Sequence, residues 1–151
     1  MPRIRYKRAI QRDMTFLAQM GYRPKESGTG ELVSFEKRSH DGTVYEVQFQ
    51  LIQFASASRW LSVLLFRRFS ATPPDVTSVC TPLAMDLDNV LRGVYYLDIF
   101  PAGKMPWEFQ DEPSLSLLLA TIKVLLVDYG IKWLEDPASN MDWVKQSTSR
   151  H

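Results

Sequence analysis

The chain has 151 residues, 45% of them apolar and 23% charged, and its formal net charge is +1. That composition belongs to a folded globular domain and excludes disordered and collagen-like classes. A chain of this length buries roughly 70% of the surface its unfolded form exposes, so one domain needs no disulfide or metal to hold it. Cys80 is the single cysteine, which excludes an intrachain disulfide and a cysteine metal cluster.

Arg3, Arg5, Lys7, Arg8 and Arg12 crowd the start of the chain. No apolar run of signal-peptide length follows them, and the longest apolar stretches, 61–66 and 115–127, are too short or too interrupted for a bilayer span. The expectation is a cytoplasmic domain without a transmembrane segment. Charge is unevenly spread: residues 1–70 hold 12 Lys and Arg against 6 Asp and Glu, and residues 71–151 hold 6 against 11. Such asymmetry marks a partner surface or two halves that attract each other within one fold.

In chain order, Ile4, Ala9, Ile10, Met14, Leu17 and Ala18 share one helical face, and Gly21 follows as a stop, which predicts a helix over 4–20. Pro24, Ser27, Gly28 and Gly30 then read as a loop. Residues 31–37 and 43–54 are rich in β-branched and aromatic side chains, and the Asp41-Gly42 pair between them predicts a tight hairpin. In the second strand Tyr45, Val47, Phe49 and Leu51 alternate with Glu46, Gln48 and Gln50, so one face is apolar and the other polar. Residues 60–69 form a third strand whose two faces are both largely apolar.

Residues 70–83, with Pro73, Pro74 and Pro82, read as an irregular excursion with an edge strand at 76–80. Alternation over 91–100 predicts a fourth strand, ended by Pro101, Gly103 and Pro106. Leu115, Leu118, Leu119, Ile122, Leu125, Leu126 and Tyr129 then mark a long helix that covers the sheet, stopped by Gly130. Asp136-Pro137 opens a terminal turn from which Trp143 packs back on the body. The expected fold is α+β: about four antiparallel strands in one sheet, packed by an N-terminal helix and a long C-terminal helix, over 1–145 with a frayed tail at 146–151.

Catalytic signatures are weak. His40 sits at a hairpin turn, where a solvated turn residue explains it better than a general base does. Asp86 and Asp88 are two residues apart, as in some hard-cation sites, but the glycine and distal acid of a calcium loop are missing, and Asp88 or Asn89 is better explained as a helix cap or turn former. Cys80 has no histidine beside it in sequence. There is no Gly-x-Ser-x-Gly elbow and no phosphate loop. Arg5, Arg8 and Arg12 fall at helical spacing, and without a recognition module they argue against a nucleic-acid partner.

The polar row Glu46, Gln48 and Gln50 is not demanded by packing, and Arg67, Arg68 and Arg92 are expected near it on neighbouring strands. Gln and Arg among Trp60, Phe66 and Tyr96 have the composition of an interaction surface. A merely solvated sheet face is the competing reading.

A helix ending in Met20-Gly21-Tyr22, a hairpin into Tyr45-Glu46-Val47-Gln48-Phe49-Gln50, and a helix ending in Tyr129-Gly130-Ile131-Lys132-Trp133-Leu134 resemble a group of small bacterial α+β domains of unknown function. Similar organisation occurs among bacterial immunity proteins, which bind and neutralise toxins. The resemblance runs from Ile10 to about Asp136, rests on short structural motifs and carries over no catalytic residue. It implies a binding role.

The expected function is therefore a non-enzymatic domain that binds a protein, as an inhibitor or immunity-type factor, with no cofactor and no metal. Its contacts are expected at Glu46, Gln48, Gln50, Arg67 and Arg92 on the sheet, or at Asp86, Asp88, Glu108, Asp111 and Glu112 on acidic loops. The alternative is a small-molecule-binding domain or modest hydrolase, with a pocket between sheet and helix lined by Trp60, Tyr95, Tyr96, Trp107 and Trp133.

Overall fold

The computed structural model describes residues 6–25, 32–40, 42–53, 59–69, 83–97 and 107–136. They form an α+β domain around a six-stranded antiparallel sheet. The strands are β1 (Arg23–Lys25), β2 (Leu32–Arg38), β3 (Thr43–Gln53), β4 (Arg59–Phe69), β5 (Leu83–Asp86) and β6 (Glu108–Phe109). They lie in the order β1-β2-β3-β4-β5, with β6 pairing the other end of β4. The sheet is thus larger than the four strands expected. The additions are short elements at its edges, too brief to carry a periodic signal. β1 contains Pro24, which an edge strand tolerates because its other side has no ladder to feed.

The β2–β3 hairpin is where the sequence predicts it. Ser39 N donates to Thr43 O at 2.8 Å and Gly42 N to Ser39 O at 3.2 Å. Gly42 adopts φ +89°, the left-handed region that the Asp-Gly signal anticipates.

One sheet face is covered by helices. Val33, Phe35, Tyr45, Val47, Phe49, Leu61, Val63 and Leu65 point into a single core that also holds Ile10, Leu17, Leu115, Leu119, Ile122, Trp133 and Leu134. The N-terminal helix is split into α1 (Tyr6–Asp13) and α2 (Phe16–Gln19), because Leu17 N and Ala18 N bond to carbonyls only three residues back and tighten the chain at Met14-Thr15. Gly21, at φ +94°, ends it as predicted.

Two expectations fail. Residues 91–97 do not form a strand: Leu87–Gly93 is a helix, α3, and residues 98–100 of the expected strand lie outside the described residues. Leu87, Val90 and Leu91 recur at helical spacing and are buried, and packing of α3 on β4 and β5 overrides the two-residue alternation. Nor does Gly130 stop the long helix. α4 (Glu112–Leu125) runs through a π-helical turn (Leu126–Gly130) into α5 (Ile131–Glu135). The extra residue of that turn keeps both Leu126 and Gly130 facing inward. Gly130 is needed for closeness instead: a Cβ there would lie 2.9 Å from Leu87 Cδ1 and 3.0 Å from Leu126 Cδ2.

The 24 residues Glu112–Glu135, whose most apolar 18-residue stretch has mean hydropathy 1.7, are long and apolar enough to cross a membrane by length and composition. Within the fold Leu115, Leu119, Ile122 and Leu126 are buried in the core, whereas Leu117, Val124 and Val127 on the outer side are exposed. The helix start is firmly specified: Asp111 accepts from Ser114 N at 2.9 Å, and Ser114 Oγ accepts from Asp111 N at 2.9 Å, a reciprocal capping box. The expected edge strand at 76–80, Cys80, Asp41, His151, the turn at Pro137, Trp143 and the tail lie outside the described residues.

Candidate functional site

Strand alternation divides the predicted contact residues between two faces. Register places Glu36 opposite Glu46 and Glu46 opposite Phe66, and Ser34 opposite Gln48 and Gln48 opposite Leu64. Glu46, Gln48, Gln50, Ile52, Trp60, Leu64, Phe66 and Arg68 therefore share the second face of the sheet, over which no helix among the described residues lies.

This face carries a connected ionic network. Lys25 Nζ lies 3.1 Å from Glu46 Oε1 and 4.0 Å from Glu36 Oε2. Gln48 Nε2 donates to Glu46 Oε2 at 3.0 Å. Arg38 Nε and Arg68 Nη2 reach the two oxygens of Glu36, each at 3.3 Å. Glu46 is only 3% exposed, and both its oxygens have donors, so its charge is held inside the sheet surface. It organises the face from beneath. Beside it Ile52, Trp60, Leu64 and Phe66 are half-buried, and Gln50 is exposed. Paired charges next to an apolar strip leave a surface that loses little by being desolvated.

Two predicted members are not there. Arg67 opposes Tyr45 and Leu83, so it points to the helix-covered face, where it is 3% exposed. A one-residue step along a strand reverses direction, and Arg68 is the arginine that joins the network. Arg92 stands exposed on α3 and not on a strand.

The acidic group is dispersed. Asp86 precedes α3 and Asp88 lies in its first turn, while Asp111 caps α4 and Glu112 begins it. Glu108 is exposed on β6, opposite Trp60. Burial, reinforced by Asp88, raises the Asp86 carboxyl above its ordinary value. The Ser114 hydrogen bonds lower that of Asp111. The second shift is an effect of helix capping and the first of burial beside a like charge. Among the described residues no group of three His, Cys, Asp or Glu is placed to hold a metal ion.

The aromatic set does not converge. Trp107 and Trp133 are core residues, Trp60 is on the second sheet face, and Tyr96 is 74% exposed at φ +56°. Tyr95 packs on Tyr129, ring centroids 4.8 Å apart. His40 is an exposed turn residue.

Sequence reasoning missed a second polar cluster, at one end of the helix-covered face. Lys37 Nζ donates to Glu135 Oε1 at 2.6 Å, and Tyr22 Oη donates to Glu135 Oε2 at 3.4 Å. Burial, with the Glu135 charge second, pushes the Tyr22 phenol well above its ordinary value, so it remains a neutral donor. Residues 98 and 113 positions apart cannot be joined by any local pattern. No family model, curated protein or solved structure matches this chain.

Proposed function

We propose that this chain is a non-enzymatic protein-binding domain of inhibitor or immunity type, and that its partner docks on the second face of the sheet. The observation that carries the reading is the half-buried strip Ile52, Trp60, Leu64 and Phe66 beside a network in which Lys25, Arg38 and Arg68 are already paired with Glu36 and Glu46. An aromatic and aliphatic centre with a satisfied polar rim is the anatomy of a protein interface. Lys25, Arg38 and Arg68 outnumber Glu36 and Glu46 in this network, which favours a partner with an acidic rim around an apolar centre. Gln48 and Gln50 supply adaptable hydrogen bonds near that centre.

The test is co-purification from native extract, followed by reconstitution with the recovered protein. Trp60→Ala is expected to weaken binding on the order of 30-fold, as truncation of a central aromatic does. Leu117→Ser, on the outer side of α4, should leave affinity unchanged. A partner that binds the Trp60→Ala and Phe66→Ala variants as tightly as the parent protein would refute the assignment of this face.

A further inference from the structure

The Arg67 guanidinium carries five N–H donors and has no acceptor of its own. It is 3% exposed, and its Nε and Nη1 are enclosed without a hydrogen-bond partner among the described residues. Its strand neighbours explain why. Across β3 it pairs with Tyr45, and the next residue in that row, beyond Tyr45, is the cation Lys37. Glu46 and Glu36 are on the opposite face of the sheet, and Glu135 is occupied by Lys37 and Tyr22. A buried guanidinium is retained where its planar fork receives an oxyanion through paired hydrogen bonds.

We propose that Arg67 anchors an oxyanion-binding site at the end of the helix-covered face where Thr43 pairs with Phe69, taking a carboxylate or phosphate group from a ligand. The enclosed Nε and Nη1 are the donors; Lys37, two strands away, is already paired with Glu135 and leaves the anion to Arg67. The site lies on the face opposite the proposed protein interface, so either assignment can fail without the other.

Thermal unfolding of the whole chain, in sodium phosphate and in sodium acetate against sodium chloride at equal ionic strength, tests the proposal and separates the two oxyanion sources. Phosphate or acetate is expected to raise the midpoint on the order of 5 °C at a hundredfold excess over Kd. Arg67→Met should abolish that rise, and Arg67→Lys should reduce it, because an ammonium lacks the fork. No rise with either anion, or a rise that Arg67→Met leaves intact, would overturn the proposal. Should Arg67→Met not fold, the Nε–Hε resonance of Arg67 in the parent protein decides: movement on titration with whichever anion stabilises the chain supports the site, and a stationary signal refutes it.

Discussion

Glu46 and Arg67 make an instructive pair. They sit one position apart on the paired strands β3 and β4, on opposite faces, and each is 3% exposed. Glu46 holds Lys25 and Gln48 on its two oxygens, whereas two nitrogens of Arg67 have no partner among the described residues. The same degree of burial therefore carries different electrostatic consequences on the two sides. On the second face short strands bring long side chains within reach of one another. On the helix-covered face Glu135 is the acid nearest that row of side chains, and Lys37 and Tyr22 already hold both of its oxygens.

The sharpest way to test the contrast is to truncate a ring on each side. Phe49→Ala, fully buried under the helices, is expected to cost about 3–5 kcal/mol. Phe66→Ala, only partly buried on the second face, should cost less, since less of its ring surface leaves water on folding. Urea unfolding of both variants measures the difference, and equal losses would mean that both faces are equally enclosed.

The charges come next. Lys25→Ala leaves Glu46 buried with one donor and is expected to destabilise by about 1–3 kcal/mol, an effect that adding Glu46→Gln should largely reverse. Arg67→Met, in chloride buffer, should do the opposite and stabilise by about 1–3 kcal/mol, because it removes an unanswered charge. A double-mutant cycle on the first pair and denaturant midpoints for the second check the signs.

A smaller effect is expected at the contact between α3 and the long helix. Gly130→Ala would gain helix propensity but drive a methyl into Leu87 and Leu126, both fully buried. The net loss should be about 1 kcal/mol, and Leu87→Val in the same chain should relieve it.

The pH response is expected to be the smallest. The folded carboxyl of Asp111 titrates below its unfolded value because Ser114 donates to it. Its contribution is present above the unfolded pKa and is lost as pH falls through the lower folded one. Asp86 behaves oppositely: burial and Asp88 raise its folded pKa, so ionisation costs stability as pH rises from the unfolded value through the folded one. Asp86→Asn should therefore raise the melting midpoint at neutral pH, and Asp111→Ala should lower it. Melting curves from pH 3 to 7 distinguish the two.

Local patterns account for much of the architecture. Residues 32–38, 43–53 and 59–69 read as strands, the Gly42 turn reads as a hairpin, and the leucine row of α4 reads as a core helix. In each case side-chain periodicity and turn chemistry point the same way over many residues. Residues 91–97 misled because alternation and helical spacing coexist there, and contact with β4 decided between them. The candidate face was half legible: Glu46, Gln48 and Gln50 are where alternation puts them, but nothing in the local pattern told Arg67 from Arg68. That distinction rests on register, which a partner strand sets.

By itself, then, the sequence determined an α+β domain with a central hairpin, an amphipathic long helix and no catalytic signature, because those follow from composition and from periods of two and 3.6 residues. Tertiary structure alone decided that Gly130 is a point of helix contact, that Glu135 joins Lys37 and Tyr22, and that Glu46 is answered while Nε and Nη1 of Arg67 have no partner among the described residues. These are contacts between residues distant in the chain, and their geometry exists only once strands and helices have packed.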